Sequence, residues 1–308
     1  MWTRSKFFNE YVPGLDAVMV DKYHAAKNNS MWEQLCKVRT SKKAYEEDAI
    51  RSRLGSPQLK GEGAAVTFGN QIGGPKQTYT PNVWALAVKI TEEAVDDCLY
   101  ELGGGGGTPK LTELYEDLGI SLAEWPEVYM ARFLNSGSAT TYHVDRFSQA
   151  LFSATHSRLD AGTYSNLSTN ADLTYTAFWS IIVAAENQYD HVGNRTTRKV
   201  KNLWIPPQLE MKALEILKST ERPDTANRAV NAYAKSGRSI GLKVWPYLTD
   251  ADAHYYQLDG AGITFWWRRK TRFGRDSEFL TGDFLVKGDQ RFSAEITDAH
   301  GFYANIPT

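Results

Sequence analysis

Residues 262–305 constrain the fold more than any other stretch. They hold several short runs of β-branched and aromatic residues with turn chemistry between them. Residues 263–267 form the first run, closed by Arg268, Arg269 and Lys270. Phe284 and Val286, then Phe292, Ala294 and Ile296, form two more, with Gly288-Asp289 as the expected turn between them. None of this reads as a reaction centre. It reads as sheet, and such strands must find partners earlier in the chain or in another chain.

A chain of 308 residues suffices for one large domain or two ordinary ones. At 42% hydrophobic and 23% charged it has apolar area enough for a core. The net charge of −1 excludes an electrostatic nucleic-acid binder taken as a whole, though not contact through one face. Two cysteines, Cys36 and Cys98, are too few for a disulfide framework and suit a reducing compartment. There is no apolar run of about 18 residues, so no membrane span is expected, and the first residues lack the order of a signal peptide.

Residues 1–53 read as an arm that must lie on another surface. Leu15, Val18, Met19 and Tyr23 have helical spacing, and Met31, Trp32, Leu35 and Val38 suggest a second short helix. Residues 54–90 are rich in glycine and proline. The apolar runs 65–68 and 83–90 predict a long two-stranded excursion with a glycine-rich tip near 69–74. An isolated ribbon of this kind is marginal in water, so it either rests on a neighbouring subunit or forms an edge hairpin of its own domain.

Residues 91–135 predict helices. Thr91 is an N-cap candidate, the five glycines 103–107 interrupt, and Thr108-Pro109 restarts the pattern. Leu111, Leu114, Tyr115 and Leu118 form an apolar stripe, with Gly119 expected just past the helix end. Ser121 and Glu124 match a capping box opening a further helix, which Pro126 should bend or delay. Beyond a polar stretch, 172–189 reads as helix, 199–205 as strand, 208–219 as helix opened by Pro206-Pro207, and 242–245 and 254–258 as strands. The region 166–258 is thus an α+β unit.

The spacings carry no catalytic, cofactor or metal site. The six histidines form no HExxH pair, and the glycine run lacks the lysine and hydroxyl of a phosphate loop. His143 lies near Asp145, and His300 near Asp298, but such pairs are common. Asn166-Leu167-Ser168 matches a glycosylation sequon, idle without a signal peptide. The tryptophans Trp84, Trp204, Trp245, Trp266 and Trp267 sit in strand-like runs and are better read as packing than as carbohydrate platforms. The basic runs 195–201 and 268–272 fit phosphates or, more simply, a solvated face or subunit contact.

The order of these parts resembles the major capsid proteins of tailed bacteriophages with the Hong Kong 97-type fold, and among them the Mu-like major head proteins. The resemblance covers residues 80–308. It rests on residues 149–156, on Ser165-Asn166-Leu167-Ser168 to Asp172, and on Leu203-Trp204-Ile205-Pro206-Pro207. Val244-Trp245-Pro246-Tyr247 and the closing Thr281-Gly282-Asp283, Arg291-Phe292-Ser293 and 298–303 complete it.

It implies an α+β architecture with an N-terminal arm (1–53) and an extended β-ribbon loop (54–90). A peripheral domain with the spine helix (91–165 and 259–308) and an axial domain (166–258) follow. The glycines and Pro126 argue against one continuous spine. The resemblance implies no enzyme and no cofactor. It implies a shell of hexamers and pentamers closing an icosahedral head around double-stranded DNA, made in the bacterial cytoplasm and located in the virion. Met1 is present, so a separate scaffold protein is expected, with a portal at one vertex and, in some heads, a decoration protein. Lys60, Lys76 and Asn70 near the ribbon have nothing to show that they cross-link. Two other readings stand beside it: a soluble α+β enzyme with a cleft around His143 and Asp145, and a nanocompartment shell of the same fold.

Overall fold

The computed structural model describes residues 12–54, 57–91, 93, 110–169, 172–222, 229–260, 262–278 and 280–307. The helix start expected after Thr91, the glycine run and the Thr108-Pro109 cap lie outside these residues.

The chain begins with helix α1 (Val12–Asn28), a 3-10 turn (Trp32–Gln34) and strands β1 (Lys37–Thr40), β2 (Glu46–Arg51), β3 (Gly73–Tyr79) and β4 (Asn82–Ile90). The long helix α2 (Lys110–Asn135) follows, then the short strands β5 (His156–Ser157), β6 (Thr163–Tyr164) and β7 (Leu167–Ser168). Next come α3 (Tyr175–Glu186), β8 (Val200–Ile205), α4 (Glu210–Lys218), α5 (Ala232–Lys235), β9 (Gly241–Val244) and β10 (His254–Leu258). The chain closes with β11 (Ile263–Ser277), β12 (Phe284–Ile296), a 3-10 turn (Ala299–Gly301) and β13 (Phe302–Asn305).

Two main sheets organise these elements. One has the order β1-β11-β12-β4 and the other β7-β13-β10-β8-β9. The strand-rich tail therefore does find its partners within the chain, but it splits them. β11 and β12 build the first sheet, and β13 pairs antiparallel with β10 in the second. From β10 onward the chain crosses between sheets twice, after Leu258 and after Ile296.

Several local expectations are corrected. Gly288-Asp289 is not a turn, because β12 runs straight through it opposite Phe273 and Arg272 of β11. Asp289 is held by Arg269 and by Arg272, the latter at 2.7 Å. These cross-strand pairs also let β11 continue beyond the basic residues that were expected to close it. The hairpin reverses around Gly282 instead, whose φ of 74° suits a residue without Cβ. The run 65–68 forms no strand. The ribbon pairs β2 with β3, while β4 joins β12. After Met31 there is one 3-10 turn rather than a helix, and Val38 lies in β1.

Helix α2 is continuous where two helices were expected, and Gly119 and Pro126 both lie inside it. Each has a contact that explains it. A Cβ on Gly119 would stand 2.5 Å from the carbonyl oxygen of Met19, so glycine lets α1 lie close across α2. Pro126 has no N–H for the carbonyl of Leu122 four residues earlier. The side-chain amide of buried Gln290, on β12, donates to that carbonyl at 3.3 Å. The sheet thus supplies the hydrogen bond the helix lacks. Beside it, Leu122 rests on Gly288, where a Cβ would come within 2.0 Å of its Cδ1. Leu15, Met19, Tyr115, Leu118, Leu122, Phe284 and Val286 make one apolar core of α1, α2 and the first sheet.

The larger core fills the space between the two sheets. Trp32, Phe133, Phe152, Trp204, Trp245, Phe265, Trp267 and Phe292 are buried in it. Tryptophans in strand-like runs are here packing groups, as the sequence suggests. A third core joins α3, α4 and one face of the second sheet through Phe178, Ile182, Leu203, Ile216 and Tyr256.

Replacing Gln290 with Leu should destabilise the subunit by about 1–3 kcal/mol, the cost of leaving a buried carbonyl unmet. In a Pro126→Ala background the restored N–H takes over that carbonyl, and the same replacement should cost less. Denaturant unfolding of the four proteins measures the coupling; strict additivity would show that Gln290 does not serve that carbonyl.

Candidate interaction surfaces and a buried histidine–carboxylate cluster

The ribbon of β2 and β3 is tied to the body along its strands, and Gly74 lies so close to Leu159 that a Cβ there would stand 2.6 Å from its Cδ2. Tyr79 is buried, and its hydroxyl pairs with that of Thr297 at 2.8 Å. Arg146 lies 3.6 Å from Asp48 and donates to the carbonyl of Thr297. The amide of Gln77 donates to the carbonyl of Val144 at 3.4 Å. Farther out, every residue from 57 to 73 is exposed. This segment carries Leu59 at 102% exposure, Phe68 at 93% and Val66 at 65%, with Leu54 and Ile72 exposed beside it. Apolar groups gathered on one projecting segment mark a surface that another molecule covers. A second open surface is the edge strand β4, whose Val83 and Leu86 are exposed.

One buried carboxylate joins the arm to the long helix. Glu127, buried in α2, accepts from the backbone N–H of Met31, from that of Trp32 at 3.2 Å and from the indole N–H of Trp245 at 2.7 Å. Burial pushes its carboxyl up from the ordinary range against the pull of these donors. The arm, the long helix and the loop after β9 thus meet at a single side chain.

His143 and Asp145 are both buried, each among its own partners. His143 stacks on Phe133 with ring centres 3.6 Å apart and lies edge-on to Tyr129. Asp145 accepts from the backbone N–H groups of Phe147 and Gln149, both at 2.8 Å, and so shapes its own loop. Asn166 of the sequon is fully buried and donates to the carbonyls of Leu151, Ala299 and Phe302, which makes it a structural bracket. In the two basic runs, Arg198 pairs with Asp298, Lys201 with Asp259, and Arg269 and Arg272 with Asp289.

The fold also brings His191 to the neighbouring pair Asp298 and His300, although 107 positions separate His191 from Asp298 (298 − 191). His191, Asp298 and His300 each bring one ligand-type atom, all within 4.8 Å of one another. Asp298 Oδ1 lies 2.9 Å from His300 Nδ1 and 3.6 Å from His191 Nε2, while Arg198 holds Oδ2 at 2.5 Å. Tyr164 stacks on His300 at 3.7 Å. Burial alone would raise the Asp298 carboxyl, but the two imidazoles and the Arg198 guanidinium hold it well below the usual carboxylate range. Burial lowers the His300 imidazole, which favours its neutral form, although Asp298 pulls the other way.

The architecture matches solved capsid structures. The capsid protein of the cyanophage P-SCSP1u superposes with a TM-score of 0.56 at 12% identity, over 91% of this chain and 88% of that one. The capsid of an empty GTA particle gives 0.56 at 15% identity, over 90% and 89%. A virus-like particle from Pyrococcus furiosus gives 0.53 at 10% identity, over 96% and 99%. No family model and no curated protein matches the sequence. The fold is that of the tailed-phage major capsid proteins, the Hong Kong 97-type fold expected from the order of the parts.

Changing Glu127 to Gln keeps the volume but turns an amide N–H toward the indole N–H of Trp245. The variant should lose about 1–3 kcal/mol of stability, as for a buried donor left unmet. Thermal or denaturant unfolding of the purified subunit reads this directly, and an unchanged midpoint would remove Glu127 from the anchor.

Proposed function

We propose that the chain is a non-catalytic shell subunit, the major capsid protein of a tailed-phage head. The observation that carries this reading is the run 57–73. It is wholly exposed and bears Leu59, Val66 and Phe68 beyond the paired strands of the ribbon, within a capsid fold. A monomer gains nothing from such a segment; a closed shell, built from repeated self-complementary contacts, does.

In this reading residues 1–53 are the arm and 54–90 the extended loop. Residues 91–165 with 259–308 form the peripheral domain, and 166–258 the axial domain at five-fold and six-fold centres. Hexamers and pentamers close an icosahedron around double-stranded DNA. The near-neutral net charge of −1 suits a lining that confines DNA without gripping it. A separate scaffold, a portal at one vertex and, where present, a decoration protein complete the assembly. The protein is made in the bacterial cytoplasm and ends in the virion. The likeness to the Pyrococcus furiosus virus-like particle, at a TM-score of 0.53, keeps a nanocompartment shell as the weaker second reading.

Electron microscopy of the purified protein, with light-scattering mass, should show rings, hexamers or closed particles. A clean monomer that stays monomeric with crowding agents and a candidate scaffold would sink the shell reading. Leu59→Asp with Phe68→Asp should abolish closed particles while the subunit keeps its own unfolding transition, since neither side chain touches the subunit core. Nuclease-protected DNA inside particles isolated from the native source separates a head from a protein-filled compartment.

A further inference from the structure

We infer that His191, Asp298 and His300 form a binding site for a transition-metal dication of the zinc class, one that pins the crossover between the two sheets. Three observations carry this. First, His191 Nε2 and His300 Nδ1 face the same oxygen, Asp298 Oδ1, at 3.6 and 2.9 Å. Ligands bound to one zinc at about 2.0–2.1 Å in tetrahedral geometry stand about 3.3 Å apart, so the observed pair of distances brackets what a metal needs.

Second, His191 lacks the partners that structural histidines ordinarily have. Both its ring nitrogens are buried without a hydrogen bond, whereas His300 Nδ1 pairs with Asp298 Oδ1 at 2.9 Å. The 3.6 Å between His191 and Asp298 is beyond hydrogen-bond range. A purely structural triad would have closed that gap. A metal between the groups uses it, with His300 carrying its proton on Nε2.

Third, each ligand is held from behind. The carbonyl of His191 accepts from the N–H of Leu159 at 2.9 Å, and Asp190 fixes the same loop by accepting from the N–H groups of Val192 and Asn194. Tyr164 stacks on His300. Arg198 occupies Asp298 Oδ2, while Oδ1 faces the two imidazoles and accepts from the backbone N–H of His300 at 3.1 Å. Such backing orients ligands and tunes a metal. Two nitrogens and one oxygen select a zinc-like ion over magnesium or calcium, which take oxygen ligands.

Three protein ligands leave one position for water on the side of His191, which is 15% exposed at its side chain. The Arg198 charge beside the site makes it weaker than a site with thiolates. Its location gives it a purpose. Asp298 and His300 sit in the turn between β12 of one sheet and β13 of the other, and His191 lies in the loop between α3 and β8. A bound metal ties that loop to the crossover.

The test is zinc binding to the full-length chain after treatment with a chelator. Dialysis equilibrium with metal analysis should give about one tightly held zinc per chain, and zinc should raise the unfolding midpoint where magnesium at the same concentration does not. Bound cobalt(II) should absorb as a four-coordinate rather than a six-coordinate ion. His191→Ala should weaken binding more than about 100-fold and erase the zinc-dependent rise, while its metal-free unfolding midpoint stays close to that of the parent. His191→Gln serves if the alanine variant does not fold. The inference is overturned if the parent chain binds no more zinc than these variants, if magnesium competes equally, or if zinc leaves the midpoint unmoved.

Discussion

One hydrogen bond, from Gln290 to the carbonyl of Leu122, lets the subunit have a spine. Pro126 in the middle of a long helix removes an N–H, and the carbonyl so orphaned faces the sheet rather than water. With the donor supplied from β12, the helix keeps its direction and the sheet gains a fixed register against it. Gly288 next door removes the Cβ that would hold helix and sheet apart, and Gly119 does the same between α2 and α1. Three positions, each unfavourable by helix or strand propensity, thus set the distances among two helices and the sheet. Each costs up to a few kcal/mol in isolation. Each is offset by a contact that only the assembled layers provide.

The same logic recurs in the buried polar groups. Glu127, Asp145, Asn166 and Asp298 lie far apart in sequence, but each ends a loop or joins segments by accepting or donating several bonds at once. Isolated charges in a core would be costly, so these are found only where several donors converge. They concentrate where the chain passes between the two sheets or enters from the arm. Those are the places where apolar packing, being non-directional, cannot choose one path for the chain.

This explains which parts of the molecule were legible in the sequence. Periodicity located α1, α3, α4, β8, β9 and β10 to within three residues at each end, because each has an apolar face or run buried against its neighbours. Local signals failed where a distant residue compensated. Gly119 read as a stop, Ser121 to Glu124 as a new start and Gly288-Asp289 as a turn, since nothing nearby in sequence announces Met19, Gln290 or Arg272. The run 65–68 read as a strand from composition alone, yet its segment carries exposed apolar residues that pair with no strand of the chain. The open surface was foreseeable as an excursion with nowhere to pack. The convergence of His191 with His300 was not, because it depends on the fold closing over more than a hundred residues.

These constraints also account for a fold shared at 10–15% identity. What the architecture requires is an apolar period on each face, a helix laid on a sheet, and directional anchors at the crossings. Many residue choices satisfy the first two, provided volume and patterning hold. The anchors are pairwise, so either partner can change if the other follows. Such a design leaves few fixed positions for a sequence comparison to detect, while the relative placement of sheets and helices stays. The tip of the ribbon is outside these constraints: Leu59, Val66 and Phe68 are exposed in the single chain, so its core does not dictate what stands there.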